Sequence, residues 1–128
     1  MIIAFWTLPL TLIFLWLSFR VIRRRRAAGI PLGAGGDAGL ERAIRAHGNF
    51  AEYVPFAVLM LLLAEWGGAS SWLLHGLGAL LVVARLSHGI GVAQDPEDFR
   101  LRVFGMMGSF SVLGVAALAA FWGALMRG

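Results

Sequence analysis

The hydrophobic pattern of the chain consists of four long apolar stretches separated by short polar or glycine-rich segments. Each stretch has about 20 residues or more, the length that an α-helix needs to cross the ~30 Å hydrocarbon core of a bilayer. The pattern therefore predicts an all-α fold, an integral membrane bundle of four transmembrane helices that forms one domain over residues 1–128. The predicted spans are about 2–22, 38–66, 72–92 and 102–125.

The second stretch begins with charged residues and is longer than a membrane span requires, at roughly 42 Å of helix. On that helix Arg42, Arg45, Asn49 and Glu52 follow one another at i, i+3, i+7 and i+10, so they share one face. Charged residues in a membrane helix are costly to place against lipid and usually face a polar cavity or a partner chain. The start of this helix is therefore the first candidate for a functional site.

Composition supports the membrane assignment and limits the chemistry. The mean hydropathy is +0.80 and only 14% of residues are charged, against about a quarter in soluble domains. The net charge is +4, but the arginines flank apolar stretches and are not interleaved with aromatic residues, so no nucleic acid partner is expected. The chain has no cysteine, which excludes disulfides, and its three scattered histidines do not indicate a metal site.

Arginine positions predict the orientation of the bundle. The run Arg23–Arg26 after the first stretch is typical of an orientation signal in contact with lipid headgroups, and Gln94–Arg100 is a polar turn. Apart from Arg127, the arginines lie near the connectors after the first and third spans. The positive-inside rule then places those connectors in the cytoplasm and both termini on the non-cytoplasmic side.

The fourth stretch carries small residues at a spacing of three or four, a pattern that lets membrane helices approach closely. These residues are Gly105, Ser109, Val112, Ala116, Ala120 and Ala124. The pattern predicts a close helix contact along this face.

The polar residues near the predicted cytoplasmic side could form one cationic zone. It comprises the second-helix face together with Arg85, His88, Arg100 and Arg102. Guanidinium groups bind carboxylates through a planar fork, so a zwitterionic peptide could place its carboxylates on the arginines and its ammonium on Glu52. The alternative is that the arginines meet lipid phosphates while Glu52 pairs with Arg45 or Arg85 inside the bundle. For His88, packing or a hydrogen bond is favoured over a role as general base.

The second-helix pattern is Arg42-x-x-Arg45-Ala-His47-x-Asn49-x-x-Glu52-Tyr53-x-Pro55. It resembles the second-helix signature of the MAPEG superfamily, the membrane-associated proteins of eicosanoid and glutathione metabolism. The resemblance extends to Arg85 in the third span and to an arginine that opens the fourth. It implies a homotrimer in a bacterial inner membrane, with glutathione bound between subunits near the cytoplasmic face.

The resemblance also implies roles for individual residues. Glutathione would be bound by Arg42, Arg45, Asn49, Glu52, Tyr53, Arg85 and His88, with Glu52 on the γ-glutamyl ammonium and Arg45 on a carboxylate. Arg102, in preference to Arg100, would be the catalytic residue that stabilises the glutathione thiolate. A hydrophobic electrophile or peroxide would arrive from the bilayer, which makes the implied activity that of a glutathione transferase or peroxidase.

Two departures from the pattern argue against an eicosanoid product. The chain has Gly48 where the eicosanoid enzymes have a further arginine, and Val92 where they have a tyrosine. The thiolate would then depend on Arg102 alone. A ligand-binding or structural membrane protein of the same fold remains the alternative. A small transporter is disfavoured because Glu52 and Glu65 lie towards the ends of their spans.

Overall fold

Four α-helices account for nearly all of the residues 1–127 that the computed structural model describes. All four are long and apolar enough to cross a membrane, which confirms the predicted all-α transmembrane bundle. Their bounds are α1 (Ile2–Ala28), α2 (Ala38–Trp66), α3 (Ser71–Ala93) and α4 (Phe99–Arg127). The first and fourth helices extend beyond the predicted spans because the flanking arginines continue the helix without ending it.

The connector between α1 and α2 is folded against the end of α1. Gly29 ends α1 with a φ of 65°, a left-handed conformation that glycine adopts without steric cost. The Arg25 guanidinium then donates to the carbonyl oxygens of Gly33 at 2.8 Å and Ile30 at 3.3 Å. At the other end of the connector, Asp37 caps α2 by accepting a 2.6 Å hydrogen bond from the Leu40 N–H.

Contacts at the two ends of the bundle show that consecutive helices run in opposite directions. At one end, the Glu65 carboxylate near the end of α2 accepts hydrogen bonds from the first N–H groups of α1, and Arg127 of α4 donates to the Trp66 carbonyl. At the other end, Arg42 in the second turn of α2 pairs with Asp95 beyond α3. We call the second of these, where α1 and α3 end and α2 and α4 begin, the basic end.

Helices α2 and α3 form the middle of the bundle. Each contacts the other three helices, whereas α1 and α4 do not contact one another within the described chain. The core between them is made of leucines, alanines and β-branched residues, among them Leu17, Ala57, Leu61, Leu81 and Val112. Large apolar side chains such as Phe5, Leu12 and Phe121 are more than half exposed, as expected for surfaces that face hydrocarbon.

Helices α3 and α4 approach closely at Gly105. A Cβ atom at Gly105 would lie 2.5 Å from the Ala84 carbonyl oxygen and 2.5 Å from His88 Cβ. The predicted small-residue stripe is buried from Gly105 through Ser109 to Ala116. Beyond it Ala124 is exposed, and Gly123 lies against Gly67 instead. Close packing here brings the polar residues of α3 and α4 together.

Substitution of Gly105 by alanine tests this contact. The added methyl group would meet backbone that cannot move aside, so we expect a loss of about 1–3 kcal/mol in the free energy of unfolding. Gly114→Ala on the same helix is the control, because nothing lies within 4 Å of a Cβ there. Unfolding followed by circular dichroism in mixed micelles should show Gly114→Ala equal to or above the unsubstituted protein. Equal stability of the two variants would contradict the contact.

Candidate functional site

A cleft of about 250 Å³ lies at the basic end, where α2, α3 and the start of α4 meet. Its lining contains three arginines and two glutamates and is more polar than apolar. The lining residues are Ala38, Glu41, Arg42, Arg45, Asn49, His88, Val92, Glu97 and Arg102. This composition suits a ligand that carries charges of both signs.

The first three turns of α2 supply one wall of the cleft. Arg42, Arg45 and Asn49 reach it together because their spacing of three and four residues places them on one helix face, as the sequence predicted. Arg42 is held by a 2.9 Å ion pair with Asp95. Arg45 is exposed and makes no ion pair with any residue in the described chain.

Arg85 of α3 lies beneath the cleft and is only 1% exposed. Its guanidinium donates to Asn49 Oδ1 at 2.6 Å and to Ser109 Oγ at 3.2 Å, which ties α3 to α2 and α4. It also lies 3.3 Å from His88 Nδ1. Because a guanidinium can only donate, His88 Nδ1 accepts, and the proton of the neutral imidazole is on Nε2. The hydrogen bond expected for His88 is therefore present.

Arg85 has no carboxylate within 4.0 Å among residues 1–127, and its Nε is buried without a hydrogen-bond partner. The Phe50 ring also lies near the charge, 5.8 Å from the guanidinium carbon. An unpaired cation in a membrane bundle is costly, and such groups commonly mark binding sites. Arg85 therefore adds an unneutralised positive charge below the cleft.

Arg102 lines the cleft from the first turn of α4, whereas Arg100 does not. Both carboxylate oxygens of Glu97 accept from Arg102 Nη1, at 2.9 and 3.1 Å. Within the described residues, every hydrogen bond of this side chain leaves from Nη1, so Nη2 and Nε remain available to a ligand.

Besides the buried Arg85 and the exposed Arg100, the candidates Glu52 and Tyr53 also lie outside the cleft. Glu52 is exposed on the outer face of α2, one turn beyond Asn49, and pairs with neither Arg45 nor Arg85 in the part of the chain described. Tyr53 packs edge-on against Phe110 of α4 with ring centroids 5.5 Å apart. The α2 polar face is thus wider than the cleft and continues onto the open surface of the chain.

Sequence reasoning missed the acidic partners of the cleft. Asp95 and Glu97 belong to the turn between α3 and α4, and they neutralise Arg42 and Arg102. The available signal was the presence of acidic residues in a connector that the topology brings to an arginine-rich end. Their partners depend on the path of that turn, which residue spacing does not determine.

Comparison with known proteins agrees with this architecture. The model of the MAPEG family matches residues 3–122, nearly the whole chain. The chain belongs to the MAPEG family. It is 35% identical over 122 residues to the inner membrane protein YecN of Escherichia coli strain K12, an alignment that covers 95% of this chain and 92% of the relative. The protein of the same name from Escherichia coli O6:H1 strain CFT073 gives the same values.

The two departures from the MAPEG pattern occupy different surroundings in the fold. Val92 is buried and forms an apolar part of the cleft wall, at the position where the eicosanoid enzymes carry a tyrosine. Gly48 faces open space, since a Cβ there would meet only Glu52 Oε1, at 4.0 Å. The cleft of this MAPEG protein therefore has no tyrosine hydroxyl beside Arg102.

The bond between Asn49 and Arg85 can be measured by a double-mutant cycle. Asn49→Ala removes an acceptor from a buried cation, so we expect the free energy of unfolding to fall by about 1.5–3 kcal/mol. In an Arg85→Met background the same change should cost much less, because no charge is left unsatisfied. Unfolding in mixed micelles gives the free energy of unfolding of the unsubstituted protein, the two single variants and the double variant. If Asn49→Ala lowers it equally in both backgrounds, the pair is not coupled.

Proposed function

We propose that this MAPEG protein binds glutathione at the cleft and uses its thiol against hydrophobic electrophiles or peroxides. The observation that carries the proposal is that two guanidinium groups, Arg45 in the cleft wall and Arg85 buried beneath the cleft, have no carboxylate partner in residues 1–127. Glutathione has two carboxylates, one ammonium and one thiol. Its two carboxylates would neutralise the two cations.

Each part of glutathione has a matching group. Arg45 is exposed at the cleft and can bind a carboxylate through its planar fork. Arg85 lies beneath the cleft and holds Asn49, which lines it, by a hydrogen bond. The γ-glutamyl ammonium is assigned to Glu52, which lies one helical turn from Asn49. Arg42, Tyr53 and His88 complete the binding set implied by the family pattern.

A homotrimer would complete this site. Glu52 lies on the outer face of α2, where Phe56 and Leu59 are 54% and 47% exposed. In our proposal the neighbouring copy covers this outer face, so that glutathione is bound between subunits and the ammonium site on Glu52 is enclosed. The support is that a single chain leaves Glu52 outside the cleft that contains Arg45 and Asn49.

Arg102 is the catalytic residue of the proposal. A free thiol with a pKa near 8.5 is mostly protonated at neutral pH, and an adjacent guanidinium lowers the pKa of the thiol by stabilising the thiolate. The thiolate then attacks an electrophilic carbon of the second substrate, forming the S–C bond as the leaving group departs with the bond electrons. Because the cleft lies at the end of the membrane-spanning helices, an apolar substrate can reach it from the bilayer.

A second candidate function is glutathione binding without turnover. It is favoured by the Glu97 carboxylate on Arg102, which offsets the positive charge that a thiolate needs. The sequence neighbours of Arg102 are Leu101 and Val103, so no adjacent hydroxyl can help to stabilise a thiolate. Saturable binding without conjugation of any electrophile in a screen would identify this case.

Calorimetric titration of glutathione into detergent-purified protein tests the binding site. We expect saturable binding that weakens by about 1–3 kcal/mol in Arg45→Ala and in Glu52→Ala, the size of a lost charged hydrogen bond. Arg26→Gln serves as the control, since it removes an arginine that does not line the cleft. Unchanged affinity in both alanine variants would remove these residues from the site, and light scattering on the same sample measures the number of subunits.

The thiolate assignment has a spectroscopic test. Bound glutathione thiolate absorbs in the ultraviolet, and Arg102→Leu should abolish that absorbance while leaving most of the binding affinity. Arg100→Leu, two residues earlier on α4 and outside the cleft, is the matched control and should retain the absorbance. The opposite result would assign thiolate stabilisation to Arg100.

A further inference from the structure

We propose that Arg20, Arg23 and Arg24 at the end of α1 form a site for the phosphate group of an anionic phospholipid. The three side chains and Ala27 line a cavity of about 320 Å³. Their spacing of i, i+3, i+4 and i+7 places them on one helix face. This cavity shares no residue with the cleft of the proposed glutathione site.

Within the described residues, the three arginines of this cluster offer hydrogen-bond donors and have no acidic partner. No carboxylate lines the cavity, and none of these three arginines takes part in an ion pair within residues 1–127. Arg20 Nη1 is buried and has no hydrogen-bond partner in the part of the chain that the structure describes. The Arg20 guanidinium is placed over the Trp16 ring, 5.4 Å from its centroid. The chain thus positions a guanidinium with a donor that finds no acceptor among residues 1–127 and is available to a ligand.

Helix α2 positions a second guanidinium of the cluster, that of Arg24. A Cβ atom at Gly39 would lie 2.9 Å from Arg24 Nη1, so this side chain rests on the first turn of α2. The cluster therefore lies where α1 and α2 meet at the basic end. A phosphate oxygen can accept from several guanidinium donors at once, which makes phosphate the ligand chemistry that fits.

Depth in the membrane favours a lipid as the source of the phosphate. The part of α1 before Arg20 carries no charge and has a length of about 27 Å, close to the thickness of the hydrocarbon core. Arg20 therefore lies at the level of the lipid headgroups. Three cations without a carboxylate favour an anionic headgroup over a zwitterionic one, whose own ammonium would be repelled.

The rest of the basic run does not join this site. Arg25 is bound to the connector carbonyls of Ile30 and Gly33, and Arg26 is exposed and does not line the cavity. Arg23 and Arg24 of the basic run therefore belong to the proposed lipid site, whereas Arg25 and Arg26 do not. Arg26 is a matched control, being the same residue type on the same helix at a similar depth.

Native mass spectrometry of the full chain can test the site, with phosphatidylglycerol and phosphatidylethanolamine of identical acyl chains in the detergent. The unsubstituted protein and Arg26→Gln should retain phosphatidylglycerol in preference to phosphatidylethanolamine. The triple variant Arg20→Gln, Arg23→Gln, Arg24→Gln should lose at least about tenfold in affinity for phosphatidylglycerol, since each arginine near an anionic surface contributes measurably. The single variant Arg20→Gln should lose about fivefold in affinity for phosphatidylglycerol. If the triple variant does not fold, this single variant provides the test.

Several outcomes would overturn the proposal. Equal retention of the two lipids by the unsubstituted protein would remove the preference for an anionic headgroup. An equal loss in Arg26→Gln and the triple variant would show general attraction by the basic run. Millimolar inorganic phosphate that displaces phosphatidylglycerol would assign the cavity to a soluble anion. The lipid cavity and the cleft share no residue, so lipid binding and glutathione binding can fail independently. This test therefore does not depend on the proposed function.

Discussion

The buried guanidinium of Arg85 is the interaction on which the site depends. It takes its acceptors from α2 and α4, through Asn49 and Ser109, and so joins three helices at one depth. Inside a membrane bundle little water is available to replace a lost partner, which makes each of these bonds expensive to break. The positions of the cleft residues on α2 and of His88 on α3 are therefore linked through a single charged group.

Packing and charge act together at this point. The close approach of α3 and α4 at Gly105 brings the α4 backbone against His88, and Ser109 follows one turn later on the same face. A larger residue in place of Gly105 would push apart the helices that supply the acceptor and the donor. A glycine with no chemistry of its own thus sets the geometry of the polar network, and the small-residue stripe serves the site as well as the fold.

Much of this fold could be predicted from the sequence because membrane thickness determines the length of each helix. The shared face of Arg42, Arg45 and Asn49 was also predictable, since helical periodicity alone places them together. The outward position of Glu52 was not, because a polar face can be wider than the cleft it borders. The ion pairs of Asp95 and Glu97 depend on the path of a connector, which local sequence does not specify. The family pattern gave residue roles that spacing could not.

Different kinds of contact hold the helices together at the two ends of the bundle. At the end opposite the cleft, Glu65 and Arg127 bind main-chain groups at the termini of neighbouring helices. At the basic end, the rim of the cleft is held by the partly exposed ion pairs Arg42–Asp95 and Arg102–Glu97, above the buried Arg85 network. Such ion pairs contribute little each and are screened by salt. The cleft therefore has a salt-sensitive rim above a buried polar network, so the rim can open while α2, α3 and α4 stay joined at Arg85.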